Sequence, residues 1–138
     1  MKRTRLRRIS KKTAARARAC KPFRTRLIRE VGRCEICGHD PRRVRPGCIA
    51  WELGVHEILN GPLRQACLDK SHSILVCCWR CNSDVLTDKA AWPEARQLAV
   101  ILKRRPDQYD LVAHNFLANP RAPKRILQTE VGAWLETV

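Results

Sequence analysis

Cys34-Glu35-Ile36-Cys37 and Cys78-Trp79-Arg80-Cys81 share one spacing. A two-residue gap lets both thiolates of a tight turn point at one tetrahedral ion, with Zn–S bonds of about 2.3 Å. Forty residues, 38–77, separate the pairs, against the roughly 15–20 of an ordinary zinc ribbon. The insert is therefore expected to be a structure in its own right, closed at its base by a structural Zn²⁺ on Cys34, Cys37, Cys78 and Cys81; the competing reading is a set of buried thiols. Cys77 adjoins the second pair but stands at the wrong gap from Cys81. Cys20, Cys48 and Cys67 have no partner at ligand spacing and read as small packing side chains. Eight cysteines would suggest disulfides in a secreted chain. The basic N-terminus lacks the apolar stretch of a secretory signal, so metal or free thiols in a cytoplasm is the expectation.

Outward from the cysteines, residues 49–58 (IAWELGVHEI) read as a strand weakened by Gly54. Asn60-Gly61-Pro62 marks a turn, 73–77 (SILVC) reads as a short buried strand, and 82–91 as a short helix. A Cys-x-x-Cys, a strand ending in a His-containing pair and an isoleucine (His56-Glu57-Ile58), a glycine-containing loop, an apolar strand, and Cys-x-x-Cys followed at once by Asn82 occur in that order. In this the chain resembles the HNH, or His-Me finger, endonucleases, over roughly residues 34–88. The Cys-x-x-Cys-Asn ending is similar to phage junction-resolving enzymes, and the Met-Lys-Arg-Thr start to small phage HNH proteins.

The resemblance implies an α+β fold, a zinc-stapled ββα-metal core, in which two strands and a helix hold one divalent ion, Mg²⁺ or Mn²⁺, against the scissile phosphate of DNA. By position it places His56 and Asn82 on that ion and Glu57 where the family has its histidine base. Histidine suits this task because its pKa is near 6.5, whereas a glutamate near about 4.3 is a weaker base unless burial raises it. Three assignments stay open: Glu57 as base with His56 on the metal; His56 as base with Glu57 and Asn82 on the metal; or a site without catalytic activity. Glu52 is a candidate accessory ligand. Arg64, after the Asn-Gly-Pro turn, reads either as a bidentate phosphate clamp or as a solvated loop arginine. His39 reads as a surface turn, His72 as a flank of the second strand and His114 as structural. Trp51, Trp79, Trp92 and Trp134 are not spaced as a base-stacking platform and read as packing residues, with Trp79 at an exposed knuckle tip.

The charge is unevenly placed. Of the net +15, residues 1–33 carry 14 basic residues and one acid, while residues 34–138 carry 14 and 12. Such an arm favours a polyanion, with DNA ahead of an anionic membrane. Arg3, Arg5, Arg7, Arg8, Lys11, Lys12, Arg16, Arg18 and Arg24 are the expected phosphate contacts, with residues 1–12 disordered until bound. Helix formers begin at Thr13; Pro22 is expected to interrupt them, with a second helix over 22–31 ended by Gly32. The division is 1–33 basic arm, 34–91 metal domain, 92–138 helical extension. In that extension Pro93 starts one helix and Pro106 closes it, Asp107 caps a second through Leu117, and Thr129 caps a third. No run suits a membrane span. The organism class implied is bacterial or phage-infected. The function expected is a metal-dependent DNA endonuclease; the alternative is a non-catalytic zinc-containing nucleic-acid-binding protein. Oligomeric state is left open.

Overall fold

A computed structural model describes residues 10–121 and 125–138. Arg3, Arg5, Arg7 and Arg8 lie outside the described residues. Helix α1 runs Lys11–Val31 without a break. Ser10 caps it, accepting from the Thr13 amide at 3.1 Å, and Gly32 closes it at φ 70°, where a side chain would be strained. The expected interruption at Pro22 is not observed, since Pro22 lies inside the helix. Proline removes one backbone bond there. Tertiary burial outweighs that loss: Cys20 and Leu27 are buried on one side of Pro22 and the other, with Phe23 and Ile28 packed beside Leu27.

Strands β1 (Leu53–Glu57) and β2 (Ile74–Cys78) form a two-stranded antiparallel sheet, paired Leu53 to Cys78, Val55 to Val76 and Glu57 to Ile74. Residues 49–52, expected in the first strand, stand outside it. The sixteen residues between the strands close through short 3-10 turns at Gly61–Ala66 and Ser71–Ser73. Side chains alternate across a strand. One face, Val55, Ile74 and Val76, packs with Leu27 of α1. The other, Leu75 and Cys77, joins the main core with helix α2 (Glu94–Arg104) through Leu98, Ala99 and Ile101. The sheet is thus a layer between two helices, which is how two short strands escape the instability of an isolated hairpin. Helices and a small antiparallel sheet make the chain α+β.

Three boundaries shift from expectation. The region after Cys81 is a single π-helical turn, Cys81–Val85, not a helix to 91. Helix α3 spans Leu111–Ala118 and is capped by Asp110, which accepts from the Ala113 amide at 2.8 Å, because Pro106–Gln108 forms its own short turn. Helix α4 is Gln128–Gly132 with its cap at Leu127, two residues ahead of the expected Thr129, its first turn tied by the Glu130 carboxylate to the Leu127 amide at 2.6 Å. It packs on α2 through Val131.

Polar groups tie these layers together inside the core. Arg105 donates to Glu35 at 2.8 and 3.1 Å, to the Ile74 carbonyl at 2.7 Å and to Gln108 at 2.7 Å. Glu35 also accepts the Val76 amide at 2.7 Å. Fully buried His114 bonds Ser73 Oγ at 2.8 Å through Nδ1 and faces Glu94 at 3.5 Å through Nε2. No helix among the described residues is long and apolar enough to cross a membrane.

Candidate metal centre and nucleic-acid site

Hydrogen bonds of Glu35, in the first cysteine turn, to Val76 of β2 bring the distant cysteine pairs together. The first pair follows α1 in a turn closed by Gly38 at φ 76°, and the second spans the end of β2 and the start of the π turn. The Sγ atoms of Cys34, Cys37, Cys78 and Cys81 all lie within 4.8 Å of one another. Four bonds of about 2.3 Å in a tetrahedron require Sγ–Sγ edges of about 3.8 Å, and Cys37 to Cys78 measures 3.8 Å. The four cysteines therefore lie close enough to hold a metal ion, compatible with a structural zinc. Burial raises the Cys37 and Cys81 thiols. At Cys34 burial acts the same way, but amide bonds from Cys37, Cys78 and Ile36 outweigh it and the thiol is lowered. The other cysteines are free and outside the cluster. Burial pushes Cys67 up to about 11, leaving an inert thiol.

His56 and Asn82 also meet. His56 Nδ1 stands 2.8 Å from Asn82 Oδ1, twenty-six residues apart in sequence. Burial pushes the imidazole below its ordinary value; the Asn82 contact opposes this and Lys89 adds to it. A neutral ring keeps a lone pair for a cation or a proton. Its Nε2 and the Oε1 of fully buried Gln97 both lack a hydrogen-bond partner among the described residues. Gln97 and Lys89 do not stand out in the sequence. The one signal for Gln97 is its place four residues before Ile101, on the face of α2 that packs inward.

Glu57 is not with them. Adjacent strand residues point to opposite faces, and Glu57 is 6% exposed on the α1 side. It pairs with Arg24 at 2.9 Å and Arg64 at 3.2 Å. Both arginines thus have an intramolecular partner: Arg24 is mostly buried and also reaches the Val55 carbonyl, while Arg64 is 59% exposed and retains donors for solvent. Arg16 pairs with Asp69 at 3.3 Å and donates to the Gln65 carbonyl at 2.8 Å. Lys11, Lys12 and Arg18 are exposed on α1.

The aromatic reading changes most. Trp51 and Trp79 stack, centroids 5.5 Å apart and planes 18° from parallel. His39, expected on a surface turn, holds this arrangement: its carbonyl accepts the Cys34 amide at 2.8 Å and its Nε2 accepts the Trp51 amide at 3.1 Å. The Trp79 amide bonds the Glu52 carbonyl at 3.1 Å. Glu52 itself is exposed beside this pair and not beside His56 in the hydrogen-bond pattern. His72 is half-buried, its Nε2 without a hydrogen-bond partner among the described residues. Compared with protein-family models, curated proteins and solved structures, the chain gives no match.

Proposed function

We propose that the protein is a metal-dependent DNA endonuclease of the HNH type, its frame held by Zn²⁺ on Cys34, Cys37, Cys78 and Cys81. The observation that carries this reading is the convergence of His56 and Asn82 at 2.8 Å beside the four-cysteine cluster. An ion seated between them would replace this hydrogen bond and take one imidazole nitrogen and one amide oxygen, a donor set that suits Mg²⁺ or Mn²⁺. Such an ion, when bound, would supply charge neutralisation for the phosphate and activation of water. His56, kept neutral by burial, offers the lone pair. Lys89, near enough to depress the His56 pKa, adds positive charge for the phosphate. Glu57 anchors Arg24 and Arg64 on the opposite face and takes no proton in this scheme.

The test is nicking of supercoiled plasmid by the zinc-loaded protein with Mg²⁺ or Mn²⁺. Wild type cuts; His56→Ala loses at least about 100-fold with zinc content unchanged; Glu57→Gln, if folded, still cuts. Protonation of His56 would displace the cation, and its lowered pKa moves that loss below the ordinary value near 6.5. The loss of cutting on acidification should therefore set in below the ordinary imidazole range. Protein that shifts DNA in a gel but never nicks it in any divalent ion overturns the nuclease reading. That outcome supports the second reading, a non-catalytic zinc-containing DNA-binding protein, which the ion-paired state of Glu57 favours.

The basic arm gives a separate expectation. Because α1 begins at Lys11 behind its Ser10 cap, deleting residues 1–9 spares the helix and removes five basic groups. The slope of log affinity against log salt should fall by up to about 4, as fewer counterions are released. An unchanged slope removes this segment from the DNA contact.

A further inference from the structure

A cleft of about 410 Å³ is lined by the stacked pair Trp51 and Trp79, by Leu53, Gly54 and Cys77, and by Glu52 and Asn82. Four observations bear on what fills it. Trp79 is 59% exposed although its ring is braced by Trp51, so a large aromatic face is held rigid and unused. Gly54 sits inside β1 without a positive φ, and a Cβ there would meet nothing within 4 Å. Neither backbone conformation nor packing among the described residues requires the glycine, and close approach of a ligand is one use of a strand glycine. Gly54 and His56 share one face of the strand, two residues or about 7 Å apart. That is the scale of the step from a backbone phosphate to the base it carries. Finally, Glu52 is the charged group among the lining residues. A carboxylate repels phosphate but accepts hydrogen bonds from the exocyclic amino group of a base.

We propose that this cleft receives a single unpaired nucleobase of the DNA strand whose phosphate lies at His56 and Asn82, so that the substrate class is DNA with an unpaired nucleotide at the cut. The position of the phosphate rests on the nuclease reading above; the binding of the base does not require cleavage. The base stacks on the outer face of Trp79, since two rings already 5.5 Å apart leave no gap for intercalation. A paired base is shielded within its duplex and cannot reach the cleft at Gly54.

The probe is a fluorescently labelled duplex with one unpaired cytosine, compared with the same duplex fully paired and with an abasic residue at the unpaired position. Affinity is read by anisotropy on the full zinc-loaded chain, without added Mg²⁺ or Mn²⁺. The unpaired cytosine should bind about 5- to 150-fold tighter than either control, the range expected for one stacked base. Trp79→Ala, at an exposed site, should erase the preference while leaving affinity for the paired duplex unchanged. Gly54→Val should do the same by filling the cleft. Equal affinity for all three probes, or a preference that survives Trp79→Ala, overturns the proposal. A preference without plasmid nicking keeps the base site and defeats the nuclease; nicking without preference does the reverse.

Discussion

Cys78→Ser will leave the protein without its central fold, not merely with a slower reaction. Cys78 ends β2, is 1% exposed, and faces Cys37 across 3.8 Å. A serine oxygen is a poor substitute for a thiolate in a sulfur site. The sheet it closes has only two strands of five residues each. Metal binding in small domains contributes on the order of 10 kcal/mol, comparable with the whole stability of a domain, about 5–15 kcal/mol. The variant should bind no zinc and lose cooperative thermal unfolding by circular dichroism. Prolonged chelation of wild type should do the same. Cys48→Ser, at an exposed cysteine outside the cluster, should keep both zinc and transition. A folded Cys78→Ser protein with a normal transition would remove the metal from the account of stability.

Arg105→Met should cost about 3–5 kcal/mol, the range for breaking a buried ion pair by deleting one partner. Side-chain exposure is 7% for Arg105 and 2% for Glu35. Arg105 is the point where three parts of the chain meet: Glu35 of the first cysteine turn, the Ile74 carbonyl at the start of β2, and Gln108 beyond α2. Without it the Glu35 carboxylate keeps the Val76 amide but faces the interior uncompensated. The same physics predicts a partial rescue. Adding Glu35→Gln removes the stranded charge, so the double variant should be more stable in chemical denaturation than Arg105→Met alone. If the two losses simply add, the pair is not coupled.

These two effects differ in how visible they were beforehand. The cysteine spacing is a local rule: two residues between thiolates is what one turn can offer one ion. It is readable from Cys34, Cys37, Cys78 and Cys81 alone. The apolar run at 74–77 and the terminal Gly32 are equally local, and β2 and the end of α1 fall close to where they were expected. Arg105 gives no such sign. It is one of 28 basic residues, next to Arg104 and before a proline, and reads as surface. Its partner lies seventy positions away. Pro22 shows the opposite failure, a strong local signal overridden where Cys20 before it is buried and Phe23 and Leu27 after it pack against the sheet.

For the candidate site the division is similar. His56, Glu57 and Asn82 can be picked out by order and residue type. Which of them stand together is a matter of strand alternation and of what packs on each face. His56 turns toward Asn82 and α2, while Glu57 turns toward Arg24 and Arg64. Trp51 and Trp79 become a stacked pair only because His39 ties Trp51 to the first cysteine turn while Trp79 lies in the second. The sequence by itself determined the ligand chemistry of the cysteines and the basic character of the first helix, because these follow from spacing and charge, while the α+β class came with the family resemblance. Only the tertiary structure decided the partners of Glu57, Arg105 and the two tryptophans. Those partnerships join residues far apart in the chain, and burial selects them after the elements have docked.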